Sequence, residues 1–449
     1  MPISRRDLLA GIALGPRGLR AAVTAPDFHN LAPTPPMGWN SWDCYATTIN
    51  EDAALANAAV MAEKLLPHGY NIFTIDAQWY EPLASGFEYR KDAQLTMDPW
   101  GRLNPAPNRF PSAVPGGGFR PLAARVHRLG LKFGIHMMRG VPRLAADQNL
   151  PILGTPHRCG DIAERVDVCE WNTDMYGIDM SKPGAQAYYD SVIALYASWD
   201  VDFIKADDMS RPYFRNAPEI HAVRRAIDRT RRPMLLSLSP GETPLAAADD
   251  VARNANLWRI SDDFWDTWPL LVEQFERLKN WSAQQRPGSW PDADMLPLGT
   301  LELGRRETRF TPDEQVTLMT LWSIARAPLM VGAGLVTLDE ATLALLTNDE
   351  VLAVNQASSG SREVYRRDNL VVWQARSAHD EVYVAHFNLN DPAPDATAVP
   401  VPIQLTDVGM SAPVRVRDLW QRLDLVNAGE VFAPPIPAHG AGLYRLSAA

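Results

Sequence analysis

The 449-residue chain is short of cysteine, of basic charge and of long apolar runs, and each shortage removes a class of function. Its three cysteines, Cys44, Cys159 and Cys169, show no CxxC spacing and no neighbouring histidine pair, so no metal site is expected. Cys159 and Cys169 lie in one loop-like stretch and could pair in an oxidising compartment; the odd count leaves at least one thiol free. A net charge of −10 argues against nucleic acid and anionic membrane surfaces as partners, because both need a basic patch. No apolar stretch approaches the roughly 20 residues of a membrane span. The first strand-like run is followed by no glycine-rich turn, so the phosphate cradle of a dinucleotide-binding sheet is missing. Internal repeats and low-complexity tracts are also absent.

What is present reads as an ordinary globular chain of two domains, one of them large. The amino terminus, Ser4-Arg5-Arg6-Asp7-Leu8-Leu9 before a short apolar run, has the pattern of a twin-arginine export signal, so residues 1–30 are expected to be a signal and linker and the protein periplasmic or secreted. Pro16, Arg17 and Arg20 shorten that run. Residues 31–356 alternate apolar runs with amphipathic segments. Runs at 37–43, 72–79, 132–138, 203–208, 234–239, 257–263, 289–295 and 328–332 predict buried strands. Helices are expected at 51–66, 184–198, 217–228 and 312–325, the last with Thr311 as its cap. Eight such units predict a (β/α)8 TIM barrel. The longest connection, residues 139–176, shows no clear periodicity and reads as a lid or subsite wall. Residues 357–449 change to short alternating runs between turn residues, which predicts a small antiparallel β-sandwich.

Polar residues collect at the carboxyl ends of the predicted barrel strands: Asp43, Asp76, His136, Lys205, Asp207, Asp208, Arg259, Asp262, Asp263, Asp292 and Asp294. A single aspartate there is as readily a turn-former or helix cap. Carboxylates closing five strands point instead to an active-site rim. Two carboxyls facing one cavity suit glycosidic cleavage, one protonating the leaving oxygen and one meeting the anomeric carbon. Asp207 and Asp263, from the fourth and sixth strands, are the candidates; spacing alone does not say which is nucleophile. The fourteen tryptophans add a mild hint of sugar stacking, although core packing claims most of them.

The stretch Pro35-Pro36-Met37-Gly38-Trp39-Asn40-Ser41-Trp42 resembles the first-strand signature of glycoside hydrolase family 27, the α-galactosidase and α-N-acetylgalactosaminidase family. Phe203-Ile204-Lys205-Ala206-Asp207 is similar to its nucleophile strand, and Trp258-Arg259-Ile260-Ser261-Asp262-Asp263 to its acid/base motif. Trp290-Pro291-Asp292-Ala293-Asp294-Met295-Leu296 and the segment from Glu314 to Gln356 extend the likeness. The resemblance implies a retaining mechanism with Asp207 as nucleophile and Asp263 as acid/base, Asp262 being the rival for the second role. It further implies a sugar subsite of Trp42, Asp76, Lys205, Arg259 and Asp294, with no cofactor required. Lys205, two residues before Asp207, is expected to keep that carboxylate ionised, and Asp263 to sit in a partly desolvated setting beside Phe264 and Trp265. His136 reads equally as a ligand contact and as a buried supporting residue.

Three departures concern the sugar. Galactosidases of the family carry two adjacent aspartates after the second strand, where this chain has Asp76-Ala77. Their fifth strand carries Cys-Glu-Trp, and this chain has Ser237-Leu238-Ser239-Pro240-Gly241. The third connection is long, with Asp174 as a conceivable replacement for the missing acid. The expected substrate is an oligosaccharide or polysaccharide ending in an α-galactoside. Altered specificity is the next reading: β-L-arabinopyranose (galactose without C6), α-N-acetylgalactosamine or an α-glucan. A non-catalytic carbohydrate-binding protein is the third, disfavoured because both aspartates are present.

Overall fold

A computed structural model describes residues 27–113, 116–392 and 398–449; the twin-arginine motif lies outside the described residues. Eight parallel strands form the central sheet: β1 (Met37–Asn40), β2 (Ile72–Ile75), β3 (Lys132–Met138), β4 (Phe203–Asp207), β5 (Leu235–Leu238), β6 (Leu257–Arg259), β7 (Trp290–Asp292) and β8 (Leu329–Val331). They pair in chain order, and β8 returns to β1. The ring closes past β7, where the Leu296 N–H donates to the Met330 carbonyl at 2.8 Å. These strands are buried on both faces, which is why each reads as a mainly apolar run without strict alternation.

The two-residue period of a strand divides those side chains into two sets. Ile75, Ile135, Ile204, Leu236 and Trp258 face the surrounding helices and belong to the main core. The alternate set fills the barrel in layers. At the bottom Ile72, Phe203, Leu235, Leu257 and Trp290, each the first residue of its strand, form a plug closed by Ala32. Two and four residues further along, the same rows continue as Lys205 and Asp207, Arg259, and Asp292 and Asp294. The strand geometry that seats an apolar floor therefore also delivers the charged groups to the carboxyl-end rim. The layers need one close approach: a Cβ at Gly134 would lie 2.7 Å from Thr74 Oγ1 and 3.0 Å from Phe203.

Helices at Glu51–Val60, Ala185–Ser198, Tyr213–Thr230 and Pro312–Ile324 correspond to the four expected ones. Thr311 caps the last in a reciprocal capping box with Glu314. The connection after β3 departs from the expected irregular loop. It folds as a three-stranded antiparallel sheet of Val141–Pro142, Met175–Ile178 and Ala163–Val168, with short helices at Arg143–Asp147 and Cys159–Ile162. The possible Cys159–Cys169 bridge is not formed; all three cysteines are free and buried.

The carboxyl-terminal sheet has six antiparallel strands, β9 (Ser359–Arg367), β10 (Leu370–Arg376), β11 (Val382–Asn388), β12 (Val414–Asp418), β13 (Leu423–Ala428) and β14 (Ala441–Ala448), in the order β9-β10-β11-β14-β12-β13. Alternation splits it: Val371, Trp373, Ala385 and Phe387 join the barrel's core, whereas Val372, Val384 and Leu446 pack with Val401, Ile403 and Ile436 in a core of their own. No helix among the described residues is long and apolar enough to cross a membrane.

Candidate active site

A cavity of about 420 Å³ opens at the carboxyl ends of the barrel strands. Seven of the eight expected site residues line it: Trp42, Asp76, Lys205, Asp207, Arg259, Asp263 and Asp294. The eighth, His136, does not. It is fully buried behind Asp207, with Nε2 2.9 Å from Asp207 Oδ2, so it contacts the carboxylate and not the cavity.

Asp207 ends β4 and is held from both sides. Ser239 Oγ donates to Oδ1, and His136 meets Oδ2. Burial alone would raise its affinity for a proton; Lys205, His136 and the two hydrogen bonds overcome that and hold the carboxyl well below the usual range. Asp207 is therefore an ionised, oriented carboxylate. Lys205 Nζ donates to Asp76 Oδ2 at 2.9 Å, so its charge serves two carboxylates. Asp76 is fixed further by Asn40 Nδ2 at 2.7 Å and by the Ala77 N–H at 2.8 Å. Burial opposes the Lys205 charge, yet protonation stays favoured by Asp76, Asp207 and Asp294.

On the opposite side Arg259 lies 2.7 Å from Asp294 and donates to Asp263 at 3.3 Å. Asp294 also accepts from the Phe264 N–H at 2.7 Å. Burial, opposed by Arg259 and reinforced by Asp263 and Asp292, lifts Asp294 to about 7. Its backbone takes φ 83°, a left-handed conformation that an aspartate rarely adopts. The Asp292 side chain bonding the Asp294 N–H, and Trp322 Nε1 donating to the Asp294 carbonyl, hold that conformation in place.

Asp263 lies past the end of β6 and its side chain is 55% exposed, so the expected desolvated setting is not found in the open cavity. Arg259 orients it instead. Asp262 is equally open and is paired with Arg211 at 2.7 Å. Asp174 is no substitute for the acid missing at position 77: it bonds Gln78 and Tyr80 and faces a separate cavity. Ala77 itself is fully buried and outside the cavity lining.

The structure adds walls that spacing did not show. Tyr89 stacks on Trp42 with ring centres 5.8 Å apart, and Phe87 bridges Trp42 to Trp265. Trp171, carried by the β3 insertion, and Arg211 complete the rim. These residues sit in connections without periodicity, and only Trp171, an aromatic in an expected lid, carried any signal.

The arrangement holds one ionised and one open carboxyl over a cavity sized for a sugar, and similarity to known proteins agrees. Residues 171–357 match the family model described as alpha galactosidase A, and residues 367–446 the alpha galactosidase C-terminal beta sandwich domain. The chain is 49% identical to the GH27 β-L-arabinopyranosidase of Geobacillus stearothermophilus, covering 94% of this chain and 98% of that one with a TM-score of 0.91. It is 45% identical to a putative α-N-acetylgalactosaminidase of Bacillus halodurans, over 92% of this chain and 97% of that one, TM-score 0.83. Alpha-galactosidase 2 of Arabidopsis thaliana is 26% identical over 426 residues, 93% of this chain and 91% of that protein. With these relatives and this cavity, the chain belongs to glycoside hydrolase family 27 and is a retaining glycosidase.

Proposed function

We propose that the enzyme releases terminal β-L-arabinopyranose from oligosaccharides or polysaccharides, with Asp207 as nucleophile and Asp263 as acid/base. The observation that carries the glycone is at position 77. Where the family's galactosidases place a second aspartate, this chain has a buried alanine that does not line the cavity, and no other group of β2 replaces it. The family resemblance gives that aspartate pair the axial 4-hydroxyl and the 6-hydroxyl, so a site with one carboxylate fewer has less to gain from a sugar that carries C6. The Geobacillus enzyme, a β-L-arabinopyranosidase by name, supports the same reading.

In the first step the Asp207 carboxylate bonds to the anomeric carbon while Asp263 gives its proton to the departing glycosidic oxygen. In the second, Asp263 takes a proton from water, and the resulting attack on the anomeric carbon releases Asp207 and the sugar. Two inversions give net retention. Arg259 fixes Asp263 at the open end, where the leaving group exits. The arginine pair near the amino terminus supports export from the cytoplasm as the route to such a polysaccharide.

The test is a panel of p-nitrophenyl glycosides (β-L-arabinopyranoside, α-galactoside, α-N-acetylgalactosaminide, α-glucoside). The proposal expects the highest kcat/KM on the β-L-arabinopyranoside. A preference for the α-galactoside would refute it and restore the reading drawn from the α-galactosidase relatives.

A further inference from the structure

Asp43 lines the catalytic cavity beside Asp76, Lys205, Asp263 and Asp294, yet neither step above employs it. It follows Trp42 on the short helical turn Trp42–Tyr45 after β1 and is 2% exposed. Its Oδ2 has no hydrogen-bond partner among the described residues. That oxygen is closed to solvent against Gly332, so the part of the carboxyl group that meets the open cavity is its other oxygen, Oδ1.

The main chain of Asp43 already serves the fold, since its carbonyl accepts from the Glu302 N–H at 2.8 Å. That contact does not involve the carboxyl group. The fold makes room for the side chain at a specific place, because a Cβ on Gly332, just past β8, would lie 1.9 Å from Oδ2. Burial pushes the Asp43 carboxyl well above its usual range, Asp294 adds to this, Lys205 opposes it, and Asp263 and Asp76 add again. A neutral carboxyl carries one O–H donor and one carbonyl acceptor, which together match a sugar hydroxyl.

We infer that Asp43 is a sugar-binding residue of the glycone subsite, its carboxyl hydrogen-bonding one ring hydroxyl of the bound pyranose. The inference rests on the cavity's being the glycosidase site, as proposed above, but not on which pyranose fills it.

The experiment compares wild type, Asp43→Ala and Asp43→Asn on the p-nitrophenyl glycoside that wild type cleaves fastest and on its 2-, 3- and 4-deoxy analogues. Wild type should be roughly tenfold poorer on the analogue lacking the contacted hydroxyl. Asp43→Ala should lose kcat/KM on the parent and lose that one penalty, so that the analogue and the parent become equivalent. Asp43→Asn, which still donates and accepts, should remain within a few-fold of wild type on the parent. If Asp43→Ala retains every deoxy penalty at its wild-type size, the inference is overturned, however slow the variant is. Should Asp43→Ala not fold, wild-type crystals holding the product sugar give an independent reading. A carboxyl oxygen within about 3.2 Å of a ring hydroxyl supports the inference, and a carboxyl without sugar contact overturns it. A parent other than the β-L-arabinopyranoside refutes the proposed glycone and leaves this comparison intact.

Discussion

At the scale of single residues, the chemistry depends on how neighbours divide the protons among crowded carboxyls. Asp207 is stabilised as the anion chiefly by Lys205, although the lysine's hydrogen bond goes to Asp76. Replacing Lys205 by Met removes a positive charge, makes the anion less favourable and raises the Asp207 pKa. The acid limb of kcat/KM should therefore move to higher pH; an unmoved limb would deny Lys205 that role. Asp207→Ala should lower turnover by several orders of magnitude, and added azide should restore some activity with a product of opposite anomeric configuration. Asp43 gives the reverse sign in stability. Its folded-state pKa is raised, so its contribution is fully present below the unfolded value of about 3.9 and is lost as pH rises. Asp43→Asn, always neutral, should thus gain thermal stability relative to wild type as pH is raised from 4 towards 8. A difference in Tm that does not change with pH would contradict the assignment.

At the scale of elements, the β3 insertion is tied to β4 through one buried arginine. Arg139 reaches Asp167 in the insertion, Asp208 next to Asp207 and Glu219 on the helix Tyr213–Thr230, each within 2.7–2.8 Å. Removing it leaves Asp208 and Glu219 without a cation, while Asp167 keeps Arg215 at 2.7 Å. Arg139→Met should cost about 3–5 kcal/mol by thermal or denaturant unfolding and lower kcat through displacement of the Asp207 segment. A variant of wild-type stability would show the network to be incidental. The same region shows where the sequence stopped being legible. Barrel strands announced themselves because both faces are buried, whereas Ala163–Val168 has no fully buried residue and pairs irregularly with Met175–Ile178, so it carried no periodicity. Strand ends were overrun for a related reason: Asp263 and Asp294 stand beyond β6 and β7, on loops whose polar residues belong to the site and not to the ladder.

At the scale of the whole molecule, the row Phe203, Lys205, Asp207 links sequence to site, since one alternation sets both floor and rim. The role of His136 was not legible from its strand, because only the fold reveals that Asp207 stands between it and the cavity. The sandwich is part of the same stability unit as the barrel. Trp420 Nε1 donates to Thr320 at 2.9 Å, His439 stacks on Trp268 at 3.7 Å, and Phe387 packs edge-on against Phe275. A barrel ending at Ser358 would expose that face and should be insoluble or much less stable than the full chain; a soluble, fully active fragment would contradict this.

The central claim is double displacement through Asp207, and the most direct measurement is peptide mapping by mass spectrometry after incubation with a 2-deoxy-2-fluoro derivative of the preferred glycoside, which slows breakdown of a covalent intermediate. The account predicts one sugar per chain, attached to Asp207. A sugar on another carboxylate such as Asp262 or Asp263, or no adduct together with an inverted first product by proton NMR, would contradict it.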